Sequence, residues 1–134
     1  MDPQDLMYAK THEWIRVETD PSGTKIATVG LSAFALEALS DLIHVELPEV
    51  GRKVEAGKRM AEIESVKSVG EIYSPVDGEV LEVNTELEGR LETLAGDPYD
   101  GGWFVKIKIT DDAGLGGLID YAAYQKQCEE EGEE

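Results

Sequence analysis

One lysine, Lys67, stands at the polar step between two strand-like runs, Arg59–Ile63 and Val69–Tyr73. An amine placed there is either a solvated hairpin residue, the ordinary position for lysine, or a nucleophile held out for another protein to modify. Glu62, Glu64 and Glu71 surround it and could pair as acid and base, although charge beside an exposed hairpin is the commoner reason for such carboxylates. Gly51, Gly57, Lys58 and Arg59 come nearest to a phosphate loop. Their spacing is one residue too long, Arg replaces the Ser or Thr, and the segment lies between strands instead of before a helix. No Gly-x-Ser-x-Gly elbow is present. His12, His44 and Cys128 are too widely spaced for a metal set, and the histidines read as surface or packing residues. Cys128 precedes a run of glutamates that discourages its thiolate, and it reads as an inert residue on the inner side of a last helix. No catalytic residue and no metal ligand is therefore expected. The chain must bind something or carry something.

The bulk numbers agree with that role. A chain of 134 residues suits one domain with a core of its own. Hydrophobic residues make up 41% and charged residues 31%, the balance of a soluble globular protein. Twelve basic residues against 29 acidic ones give a net charge of −17, which repels nucleic acid and anionic membrane and favours partners with basic docking surfaces. No apolar run approaches the roughly 20 residues that span a bilayer. A single cysteine excludes an internal disulfide and points to a reducing compartment. The acidic start, Met1–Asp5, has neither an apolar signal segment nor the arginines of a transit peptide, so a bacterial cytoplasm is the expected setting; a mature mitochondrial or plastid form would read the same.

Elements that would position Lys67 can be read in order. Residues 1–7 form an expected flexible lead-in and 129–134 an acidic, solvated tail. Thr11–Glu18 and Thr24–Val29 read as strands joined by the turn Asp20-Pro21-Ser22-Gly23. Ser32 caps a short helix rich in Ala and Leu. Asp41–Leu47 reads as a strand with Ile43, Val45 and Leu47 on one face. The hairpin around Lys67 follows, then the turn Ser74–Gly78 and a strand from Glu79 to Asn84. Thr85–Gly96 reads as a loop or bent strand, Trp103–Ile109 as a half-buried strand, and Asp120–Cys128 as a helix started by an Asp cap. Many short strands with frequent turns predict a sandwich or barrel.

The motifs fall in a recognisable order. They are Tyr8-x3-His12-Glu13-Trp14-Ile15-Arg16-Val17, Ala27-Thr28-Val29-Gly30-Leu31, Val45-Glu46-Leu47-Pro48-Glu49-Val50-Gly51, Glu64-Ser65-Val66-Lys67-Ser68-Val69, Ser74-Pro75-Val76-Asp77-Gly78-Glu79-Val80, Val83-Asn84, Asp97-Pro98-Tyr99 and Gly102-Trp103. From about Met7 to Glu131 the chain resembles the H protein family of the glycine cleavage system. The resemblance implies a mainly β fold, a barrel-sandwich hybrid of two small antiparallel sheets with a short internal helix and a C-terminal helix. It implies lipoate in amide linkage to Lys67, with Glu64 and Gly78 helping the lipoylating enzyme recognise its target. Met does not flank Lys67, as it does in the related biotin carriers. Glu13 and Glu71 match acids of a cleft in which the loaded arm rests.

The implied role is a non-catalytic shuttle, most simply a monomer. It takes the aminomethyl group of glycine from a PLP-dependent glycine decarboxylase to a tetrahydrofolate-dependent aminomethyltransferase, and dihydrolipoamide dehydrogenase reoxidises the arm. Three departures from the family pattern stand out: Ala38 replaces a cleft histidine of some members, Ser40 replaces a glycine, and Leu91–Ala95 replaces a Pro-Glu-Leu-x-Asn element. They leave open an H-like lipoyl carrier of another pathway, such as sulfur oxidation or lipoyl relay.

Overall fold

The computed structural model describes residues 3–39, 41–99 and 101–132. The elements run β1 (Met7–Tyr8), β2 (Glu13–Thr19), β3 (Lys25–Leu31), α1 (Ala33–Leu39), β4 (Leu42–Glu46), β5 (Lys53–Val54), β6 (Arg59–Ser65), β7 (Val69–Tyr73), β8 (Asp77–Val83), α2 (Leu91–Gly96), β9 (Val105–Asp111) and α3 (Tyr121–Gly132). One sheet has the order β1-β2-β3-β9-β8-β5 and the other β4-β6-β7, with antiparallel neighbours throughout. Neither sheet closes on itself. The expected hybrid of two antiparallel sheets is the fold observed. Among the described residues no helix is long and apolar enough to cross a membrane.

Alternation of apolar and polar residues sends one face of each sheet inward. Ile15, Val29, Val45, Ile63, Ile72 and Ile107 belong to one core cluster, each at most 1% exposed. Burial of each such side chain is worth about 1.5–3 kcal/mol. The first three residues of β2 are covered on both faces. Ile15 enters this core, while Trp14 enters a second cluster with Leu6, Tyr8 and Tyr124 beneath α3. Trp14 lies opposite Gly30, where a Cβ would come within 2.5 Å of its indole, so only glycine leaves room for the ring.

Four local readings need correction. Thr85–Gly96 is helical, a 3-10 turn at Thr85–Glu88 followed by α2. Leu87, Leu91 and Leu94 recur at helical spacing, and Leu87 and Leu94 are buried. Ile43 does not face inward: β4 bulges between Leu42 and His44, which breaks the alternation and leaves Ile43 53% exposed. The expected lead-in contains a 3-10 turn at Pro3–Asp5, the buried Leu6 and β1, because Leu6 and Tyr8 fill the second cluster. Glu129–Gly132 continue α3 instead of starting a tail. Residues 1–2 and 133–134 of the expected lead-in and tail lie outside the described residues, as does Ser40.

Candidate functional site

Lys67 is exposed at the tip of the β6–β7 hairpin. Glu64 pairs with Val69, so Ser65–Ser68 make the turn. Ser65 is 3% exposed and braces it from below. Its N–H donates to the Ser68 carbonyl at 2.8 Å, and its hydroxyl accepts the Ser68 N–H at 3.1 Å and donates to the Ser68 carbonyl at 3.2 Å. The Val66 N–H donates to the Asp41 carbonyl at 2.9 Å, tying the tip to the chain entering β4. The backbone under Lys67 is thus fixed while its side chain stands in water. Among the described residues no ion pair involves Lys67.

Glu64 shares this hairpin and lies opposite His44. Gly78 belongs to β8 in the larger sheet, whereas the lysine hairpin belongs to the smaller one. Gly78, read from the sequence as the end of a turn, has no positive φ; Gly23, Gly51 and Gly57 are the glycines with that conformation among the described residues. Gly78 is required by space. A Cβ there would stand 2.2 Å from the Lys108 carbonyl oxygen of β9.

A cleft of about 480 Å³ begins at Ser68, beside the lysine. Phe34, Ala35 and Leu39 of α1 give it an apolar wall, and Thr11, His12, Glu71 and Glu131 a polar one. Ala38 also lines it. Glu13 faces a neighbouring hollow of about 580 Å³, and Thr11 borders both spaces. Glu13 is fully buried. Thr11 Oγ1 donates to its Oε1 and the Tyr73 N–H donates to its Oε2 at 3.1 Å. Burial pushes its pKa up to about 7, against these two hydrogen bonds. Glu71 is exposed and accepts the Tyr73 hydroxyl at 2.6 Å.

His12 and Glu131 reach the cleft unannounced by the sequence. His12 sits at φ 81°, a left-handed conformation that costs a non-glycine residue about 1 kcal/mol or more. Its Nδ1 lies 2.7 Å from the Tyr124 hydroxyl and its Nε2 3.2 Å from Glu131, and its ring stacks on Phe34 at 5.3 Å. Tyr124 also hydrogen-bonds Ser32, whose Oγ accepts the Ala35 N–H at 3.2 Å and caps α1 as expected. The contacts of Tyr124 with His12 and Ser32 join residues more than 90 positions apart, beyond any local pattern. Cys128 packs against the second cluster, where burial pushes its thiol up. No group of three or more potential metal ligands occurs among the described residues.

Two small antiparallel sheets with one lysine held out on a braced hairpin define a lipoyl-carrier-like domain. Residues 6–131 match the family model described as glycine cleavage H-protein. A glycine cleavage system H protein of Rhodopirellula baltica is 51% identical over 131 residues, covering 98% of each chain. One from Aeromonas hydrophila is 48% identical over 129 residues, covering 96% of this chain and 97% of its own. The crystal structure of a glycine cleavage system H protein from Mycobacterium marinum superposes with a TM-score of 0.83 at 38% identity, covering 94% of this chain and 98% of that one. The chain belongs to the glycine cleavage H-protein family, the carrier component of the glycine cleavage system.

Proposed function

We propose that this chain carries lipoate on Lys67 and shuttles the aminomethyl group of glycine from glycine decarboxylase to the aminomethyltransferase. The observation that carries the reading is the exposed Lys67 on a turn fixed by Ser65 and Asp41. The site fits an amide-linked arm, because the amine is accessible and its backbone is held. In the modifying step Lys67 Nζ forms an amide bond to the carbonyl carbon of an activated lipoyl donor. The bond from that carbon to its leaving group breaks, and the amine gives up a proton to solvent. Glu64, on the same hairpin, and Gly78, which sets the β8–β9 spacing, are the positions proposed for recognition by the lipoylating enzyme.

Attached to Lys67, lipoate would supply a dithiolane to accept the aminomethyl group, and dihydrolipoamide dehydrogenase would reoxidise the dithiol left after that group is passed on. The protein's part is to hold that cargo away from water. Phe34, Ala35 and Leu39 offer an apolar wall beside Ser68, and Glu71 and Glu13 offer carboxylates to an ammonium. An ammonium brought beside buried Glu13 favours its ionised form. Tethering raises the arm's effective concentration at each docked enzyme. We take the carrier to be a monomer of the bacterial cytoplasm, a setting supported by bacterial relatives.

Reconstitution of glycine–bicarbonate exchange tests the pathway. The lipoylated chain should support exchange by a glycine decarboxylase, and the unmodified chain should not. A lipoylated chain that fails would belong to another lipoyl-dependent pathway.

A further inference from the structure

We infer that Ile43, Val66 and Val69 form an apolar contact surface for the enzyme that acylates Lys67, gripped by an apolar cleft with basic lips. The inference rests on Lys67 being the acylated residue. Val66 is 70% exposed, Val69 58% and Ile43 53%. Three segments bring them to one end of the smaller sheet. Val66 precedes Lys67 in the turn, Val69 opens β7 opposite Glu64, and Ile43 is turned out by the bulge next to Leu42, which pairs with Ser65. The Val66–Asp41 backbone bond locks the turn against the start of β4.

Local structure does not require these side chains. A turn residue at position 66 has no packing role when 70% of it meets water, and polar residues serve hairpin tips equally well. A cluster of exposed apolar residues within a polar rim marks a contact site. Here the rim is acidic. Asp41 and Glu64 border the patch, with Glu46, Glu62 and Glu71 one row further along. Arg59 neutralises part of that outer row through Glu62 and Glu71. Among the described residues no ion pair involves Asp41 or Glu64.

Two arguments select the acylating enzyme. Partners that use the finished arm meet its far end, whereas the acylating enzyme alone must bring Lys67 Nζ to its own reacting atoms. Residues within two positions of Lys67 are therefore its natural handle. An activated carboxyl donor, whether a mixed anhydride with phosphate or a thioester on a phosphorylated carrier, is anionic. A site that binds it is cationic, which complements Asp41 and Glu64.

The test uses the full chain, purified lipoate–protein ligase, lipoate and ATP, with intact mass as readout. Val66→Ser, Val69→Ser and Ile43→Ser should each lower kcat/KM for acylation about tenfold, the loss expected from one valine-sized contact. Their melting temperatures and their rates with a small amine-reactive ester should match the wild type. Added salt should slow acylation of the wild type. Val66→Thr keeps the branched shape and should fall between wild type and Val66→Ser. Unchanged kcat/KM in all three variants would overturn the inference. So would a loss matched by unfolding, or variants that acylate normally but no longer bind the decarboxylase. A wild-type chain that is never acylated would fail at the earlier step, on Lys67 itself.

Discussion

The Tyr73 N–H donates to the buried carboxylate of Glu13 at 3.1 Å, joining the end of the lysine hairpin to the first long strand. This bond connects the two sheets beside the hollow that Glu13 and Tyr73 line. It also makes Glu13 a reporter of pH. Its folded pKa is raised from 4.5 to about 7, so between those values the folded chain holds a proton that the unfolded chain releases. The resulting stabilisation is complete below pH 4.5 and lost as pH rises to about 7, with an upper magnitude of about 3 kcal/mol. Glu13→Gln keeps an acceptor for Tyr73 and a donor for Thr11 without the charge. Urea unfolding should show the wild type losing stability across this window relative to Glu13→Gln. Parallel curves would contradict the burial argument.

Gly78→Ala should destabilise the fold by about 2–3 kcal/mol, since its Cβ meets the Lys108 carbonyl at 2.2 Å and β9 must shift. Thermal melting would show a drop of roughly 10 °C. Lipoylation measured well below the new midpoint then separates the two roles of this glycine. A loss of modification in the folded variant supports direct recognition. Normal modification leaves only the spacing role.

Ser65→Ala removes the hydroxyl that accepts the Ser68 N–H and donates to its carbonyl. A cost of about 1–2 kcal/mol follows from the lost buried partner. Amide hydrogen exchange at Ser68 should accelerate, and kcat/KM for acylation should fall as the tip loosens. Unaltered exchange would mean that the Ser65–Ser68 backbone bond alone holds the turn.

Much of this was legible because strands declare themselves by alternation. The β6–β7 hairpin, the half-buried β9 and the Ser32 cap of α1 all follow local rules. The misses have physical reasons. α2 is hidden in a polar segment whose leucines matter only once a core exists to receive them. The β4 bulge depends on pairing with β6, which no local pattern encodes. Gly78 reads as a turn residue because Asp-Gly signals turns, yet its role is set by a strand 30 residues away, at Lys108. His12 and Glu131 become neighbours only when α3 folds over the second cluster. The lysine's importance was legible in its colinear motif and not in its physics, since exposed lysines are ordinary.

Lys67→Arg should leave the melting temperature unchanged within about 1 °C, because an exposed side chain at the tip contributes little packing. A large fall would mean that Lys67 supports the hairpin instead of merely standing on it.

The central claim is that Lys67 is the attachment point. Intact mass of the native chain, followed by peptide mapping, tests it directly. In cells able to lipoylate, the account predicts a mass gain of one lipoyl amide, mapped to Lys67 and absent from Lys67→Arg. An unmodified Lys67, or a lipoyl group on another lysine, would contradict it.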